Sequence, residues 1–283
     1  MSVSVQYNSN LLGINIMGIV ERKEREREAR REQILSAAQT VFERGGLGQS
    51  SMDEIAKEAE LAKGTIYLYY KNKDELIVGL ILRGFEKLYE LMIAECGTRD
   101  RGILKLQGVG DAYHRFAGEN SFLFSVMNVS EPPPKSNISS DLLDELLHLS
   151  EKIWKFFYHT TEQAKDEGDI KQEVNGFTLV LTLWLSSTGI LRMYNKCLLN
   201  SDNNVYGARR GGIHLQYLDW DYVYNITSRM LLENVVTEQG RTYLRPLEWR
   251  SFEEIGFAPV AEDLYRVLAK EPAAIETEVA TEI

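Results

Sequence analysis

From residue 51 to residue 73 the chain reads SMDEIAKEAELAKGTIYLYYKNK. In its second half Thr65, Tyr67 and Tyr69 alternate with Ile66, Leu68 and Tyr70. On a helix Ile66 and Tyr70, four apart, share an inward face. The hydroxyl tips of Thr65, Tyr67 and Tyr69 are then left to reach outward. Groups displayed this way suit hydrogen bonding to phosphates and base edges rather than covalent chemistry. The chain has no Gly-rich phosphate cradle, no G-x-S-x-G elbow and no zinc-type cysteine cluster.

Two short helices and a tight turn would position those tips. Ser51 followed by Glu54 has capping-box spacing, in which each side chain satisfies a backbone N–H at a helix start. Ile55, Ala56 and Ala59 then share one face. Residues 60–64 break the pattern, and Gly64 is the residue best suited to a turn or helix start. Small Ala56 and Ala59 let the helices approach. The spacing predicts a helix-turn-helix that lays its second helix in the major groove of DNA. Upstream, Ile34, Leu35, Ala38, Val41 and Phe42 share a face on a helix ending at Gly45-Gly46, which completes a three-helix head. Downstream, residues 74–96 form a long helix with Leu76, Ile77, Leu80, Ile81, Leu88 and Met92 as its stripe. Asp74 and Glu75 suit its positive N-terminal end.

The run IAKEAELAKGTIYLYYKNKDELI, within residues 32–82, resembles the DNA-binding head of the TetR family of transcriptional regulators. The resemblance implies that Tyr67 and Lys73 touch phosphate. It puts Thr65 and Lys63 near base edges or the adjoining backbone, and Tyr69 at another groove-facing position. Ser51 becomes a cap whose backbone N–H can meet a phosphate oxygen. Plainer roles stand beside these: Tyr69 or Tyr70 as core, Ser51 as a cap only. Leu68 either packs or meets a thymine methyl. The family further implies homodimers on inverted-repeat operators in double-stranded DNA, repression, and release by a small-molecule effector that shifts the connecting helix.

Composition sets wider bounds. The 283 residues carry a net charge of −10, which disfavours unselective coating of nucleic acid but not a sequence-specific reader. Two distant cysteines, Cys96 and Cys197, imply no disulfide framework, and a reducing cytoplasm fits best. Residues 1–20 read as a flexible leader, and Met17 is a possible start. Its apolar run is too short to span a bilayer. Residues 21–32 alternate in sign; they are a solvated helix or, through Arg22, Lys23, Arg25 and Arg27, a basic arm along the phosphate backbone.

The expected fold is all-α: a helix-turn-helix head over 21–73, a larger helical ligand-binding and dimerisation domain over 74–240, and a partly helical C-terminal extension over 241–283. Pro132-Pro133-Pro134 forces an extended break, and a helix over 140–167 stops near Gly168. Helices near 175–199 and 219–238 have excess apolar surface, and they are expected to pair with their copies in a four-helix dimer interface. Phe116, Phe122, Phe124, Met127, Trp154, Phe157, Tyr158 and Trp184 are the effector-pocket candidates, suiting an apolar or aromatic molecule. An ordinary core would use the same residues.

A rival reading takes Asp111-Ala-Tyr-His114 and Glu145-Leu-Leu-His148 as half of a carboxylate-bridged metal site in a helical bundle. The pattern is incomplete, because no pair of bridging glutamates accompanies it. No cofactor, metal or catalytic residue is therefore assigned. The alternative function is a metal-binding or lipid-binding bundle with a vestigial head.

Overall fold

The computed structural model describes residues 4–128, 132–199, 218–246, 248–250 and 254–255, the backbone alone for 4–19 and 197–199. The expected loop at 200–216 and the acidic end from Glu271 lie outside these. The described elements are helical throughout, with one isolated bridge between Ile170 and Val236. In order they are α1 (Ser4–Gln49), α2 (Met52–Glu58), α3 (Lys63–Tyr69), α4 (Lys73–Gly97), α5 (Gly102–Glu119) and α6 (Ser121–Met127). After a 3-10 turn at Lys135–Asn137 come α7 (Ser140–Asp166), α8 (Gly176–Leu199), α9 (Trp220–Glu233) and α10 (Glu238–Arg241). They fall into two compact units, residues 1–85 with 129–150, and residues 86–128 with 151–283.

In the first unit Ile34, Leu35, Ala38, Val41 and Phe42 of α1 are all buried, as their spacing predicts. They meet Ile55, Ala56 and Ala59 of α2, Ile66 of α3 and Tyr70 in a small core. Gln33 Nε2 donates to the Ala59 carbonyl at 2.8 Å, tying α1 to the end of α2. Tyr70 is 1% exposed and is core. Its ring lies so close to Gly79 that a Cβ there would sit 3.0 Å from it and 2.8 Å from the Leu35 side chain, so the α4 backbone packs directly on these two side chains. The helix of α1 is broken at Gly46, whose φ of 77° no other residue adopts cheaply.

Glu75 does more than favour a helix start. Buried to 3% exposure, its carboxylate accepts from the Lys71 N–H at 2.7 Å and the Ser139 N–H at 3.0 Å. Asn72 donates to the Asn137 carbonyl, and Asn137 donates to Asp74. Ile138 and Leu142 then pack on Val78 and Leu82 of α4. The segment after the prolines is thus fastened to the start of α4.

In the second unit Ile103, Leu106, Ala164, Ile170, Leu179, Leu183, Leu232 and Val236 belong to one core cluster. Gly102 lets α5 meet α7 backbone to backbone, since a Cβ there would lie 2.3 Å from the Ala164 nitrogen. Asp169 has a fully buried carboxylate that takes two hydrogen bonds from Arg101, at 3.0 and 2.6 Å, and one from Gln239 at 3.1 Å. The chain after α10 returns over α5: Gln107 donates to the Tyr243 carbonyl, Arg245 pairs with Asp111, and Arg101 lies over the Tyr243 ring. This gives the first part of the C-terminal extension a packing role. Burial pushes the Cys96 thiol up to about 11, so it behaves as a small core side chain. Helix α8 is long and apolar enough to cross a membrane by composition, but Leu179, Val180, Leu183 and Leu191 are buried within this unit.

Candidate nucleic-acid interface

The first unit holds a short helix whose two sides differ sharply. On α3, Ile66 is completely buried, whereas Tyr67 is 42% and Leu68 84% exposed. Lys63 and Gly64 are exposed, and Thr65 and Tyr69 are half-buried. Among the described residues, and apart from its own helix backbone and chain neighbours, no atom lies within 4 Å of the position a Gly64 Cβ would take. The face carrying Gly64, Tyr67 and Leu68 is therefore open, and the opposite face is anchored in the core.

The predicted capping box is present. Ser51 Oγ accepts from the Glu54 N–H at 3.3 Å, and Glu54 Oε2 accepts from the Ser51 N–H at 2.8 Å. These bonds hold the Glu54 carboxyl below the usual carboxylate range, the backbone bond contributing most. The Ser51 N–H, expected to face phosphate, is engaged by Glu54 here.

Of the two roles open to Gly64, turn or helix start, the structure has the second: Gly64 lies in the first turn of α3, and the left-handed residue of the turn between α2 and α3 is Glu60, with φ 54°. Glu60 N–H donates to the Lys57 carbonyl and Leu61 N–H to the Ala56 carbonyl, at 3.2 and 3.0 Å. That pair of bonds is a Schellman closure, which demands the left-handed step one residue past the helix end. A glutamate at that position gives no compositional signal.

The two lysines are held rather than free. Lys63 pairs with Asp53, and that hydrogen bond raises its pKa. Lys73 Nζ donates to the Gly48 and Ser50 carbonyls at 3.0 and 3.2 Å, joining the start of α4 to the segment before α2. An ammonium has a third proton left for an anion. In the candidate arm, Arg22 is exposed and pairs with Glu26 at 3.6 Å, the solvated arrangement.

All eight effector-pocket candidates belong to the second unit. Trp154 and Trp184 meet edge to face at 5.3 Å. Phe124 lies 5.6 Å from Tyr113, and Phe157 packs on the Ile103 cluster. Phe116 and Phe124 are fully buried, Phe122 and Met127 half-buried, and Tyr158 exposed. Polar groups also stand among these helices, without a local pattern in the sequence to mark them. Tyr113 and Thr188 share a hydrogen bond of 2.9 Å, and the amide nitrogen of the buried Asn195 has no partner among the described residues. Their i+7 spacing on α8 puts Thr188 and Asn195 on one stripe, a signal hidden in an otherwise apolar run.

The rival metal motif is otherwise occupied. Asp111 takes Arg99 and Arg245, His114 Nε2 lies 2.9 Å from Asp221, and Glu145 pairs with Arg31. Among the described residues no three His, Cys, Asp or Glu side chains gather to hold a metal ion.

Residues 34–80 match the family model described as bacterial regulatory proteins, tetR family. An uncharacterised HTH-type transcriptional regulator of Haemophilus influenzae is 29% identical over 143 residues, which is 50% of this chain and 73% of that protein. The fatty acid degradation regulator FadR of Bacillus halodurans shares the fold with a TM-score of 0.54 at 16% identity, over 72% of this chain and 94% of that one. The transcriptional regulator FadR of Bacillus subtilis, solved in complex with stearoyl-CoA, gives a TM-score of 0.51 at 20% identity, over 73% and 97% of the two chains.

Proposed function

We propose, from its match to the tetR family of bacterial regulatory proteins over residues 34–80 and the likeness to HTH-type transcriptional regulators, that the chain is a dimeric repressor of that family, released from an inverted-repeat operator by an apolar or aromatic small molecule. It is a DNA-binding transcriptional regulator and not an enzyme. The carrying observation is α3, anchored through Ile66 and open along Gly64, Tyr67 and Leu68. In this reading Ser51, Lys63, Thr65, Tyr67, Tyr69 and Lys73 grip the duplex in the cytoplasm, the tyrosine and lysine tips on phosphates.

Two further parts support the reading. Phe177, Leu185 and Met230 stand exposed on α8 and α9, helices that already pack on each other. A second copy covers this apolar face. The effector occupies the aromatic helices of the second unit, where Asn195 offers a buried donor to its carbonyl or carboxyl group. Long-chain acyl-CoA is the first class to test, since a protein of the same fold was crystallised with stearoyl-CoA.

The test is fluorescence anisotropy on DNA from upstream of the protein's own gene, across a salt series. Lys73→Ala should lower the salt slope by about 0.9 per head, with thermal melting as the control for its two carbonyl bonds. Binding with no salt dependence, or none to any upstream fragment, would overturn the reading. Leu185→Glu with Met230→Glu should give monomers that have lost the operator. Trp154→Ala or Phe157→Ala should alter ligand response more than operator affinity.

A further inference from the structure

We propose that Leu68 is a base-reading residue, and that it selects thymine by packing on the C5-methyl group in the major groove. This inference rests on the DNA-binding reading above. At 84% exposure Leu68 is the most exposed of the large hydrophobic side chains among the described residues, yet its helix is anchored in a core. It lies two residues beyond the fully buried Ile66, about 200° around the helix, so it points away from the core. Four residues before it, Gly64 presents bare backbone that no other described segment approaches within 4 Å. A helix with a glycine one turn behind an apolar knob can sit deep enough for that knob to reach a base. Tyr67 beside it, 42% exposed, keeps its hydroxyl for the backbone of the duplex.

The choice of base follows from what each edge presents. Guanine shows two acceptors, cytosine a donor, and adenine an acceptor and a donor; thymine alone adds a methyl group to its acceptor. A leucine carries no donor or acceptor. Against the other three edges it removes water from polar atoms and returns no hydrogen bond, which is unfavourable. Against thymine it buries one methyl group, worth about fourfold in affinity for each half-site. In a dimer each operator half-site contributes one such contact, so the effect is squared.

The experiment begins with selection of bound duplexes from a random-sequence library by the full-length protein. Each thymidine in the selected duplex is then replaced singly by deoxyuridine, which lacks only the methyl group. The wild type should lose about fourfold in affinity at one position of each half-site. Leu68→Ala should bind the thymidine and deoxyuridine duplexes alike at that position, with an unchanged melting temperature. Equal losses in both proteins at every position would overturn the assignment and leave DNA binding standing. Failure to enrich any duplex would remove the regulator reading and this assignment with it.

Discussion

Two left-handed helix ends, one in each unit, are built to the same plan with different residues. After α7 the Gly168 N–H donates to the Lys165 carbonyl and the Asp169 N–H to the Ala164 carbonyl, both at 2.9 Å, with φ 76° at Gly168. After α2 the same bonds form around Glu60, with φ 54°. At this turn the second unit has a glycine where the first has none, and it uses Gly102 and Gly240 for backbone-to-backbone contacts, whereas Gly79 of the first unit meets side chains. The first unit holds a strained glutamate and stiffens it with nearby devices: the Ser51–Glu54 cap, the Gln33 bond to Ala59 and the Lys73 clasp. One unit is thus welded by backbone-to-backbone approach between distant segments. The other is braced around a short helix that must stay open on one side.

The largest effect expected from breaking this contrast is at Gly102. A Cβ there would meet the backbone of Ala164 at 2.3 Å, and backbone cannot swing aside as a side chain can. Gly102→Ala should destabilise the second unit by about 3 kcal/mol. Hydrogen exchange on the full chain should show protection lost in α5 and α7 before it is lost in α2 and α3. Next comes Asp169→Asn, which removes the charge from three hydrogen bonds inside the same weld. The expected loss is about 2 kcal/mol, read from denaturant unfolding. If either variant instead frees α2 and α3 first, the two units are not braced independently.

The same contrast explains what could be read from residues alone. The head was legible because its devices are short-range: Ser51 and Glu54 are three apart, and the inward and outward faces of α3 follow from a period. The stop at Gly168 was legible because glycine marks it. The turn at Glu60 was not, because a Schellman closure forces left-handed backbone on whatever residue stands there. Glu75 looked like a favourable charge at a helix start. Its second hydrogen bond comes from Ser139, 64 positions away, and no local pattern carries that. Aromatic side chains of the second unit could be collected from the sequence. Which of them meet, such as Trp154 with Trp184, depends on helix packing across long separations.

A smaller effect is expected at the cap. Ser51→Ala should cost the head about 1 kcal/mol, seen as faster exchange of the α2 amides. Glu54 makes this brace sensitive to acid. Its carboxyl lies below the ordinary value in the folded chain, so its contribution is present above the ordinary carboxylate pKa. It is lost as pH falls through the lowered folded value. The wild-type α2 amides should therefore lose protection in that acid window, and Glu54→Gln should lower it at neutral pH and flatten the acid response. Retained acid sensitivity in Glu54→Gln would place the titrating group elsewhere.

The smallest effect tests the comparison most directly, because its sign differs between the units. A left-handed backbone costs an ordinary L-residue about 1–2 kcal/mol, and glycine escapes that strain while losing more chain entropy on folding. Glu60→Gly should therefore stabilise the head by about 0.5 kcal/mol. Gly168→Glu, the reciprocal change, should destabilise the second unit by a similar amount. Exchange rates near each turn in the full chain separate the two responses. If Glu60→Gly left the head no more stable, the glutamate would have to gain from a side-chain interaction what its backbone loses. Operator affinity then becomes the second readout, since Glu60 stands at the turn that aims α3.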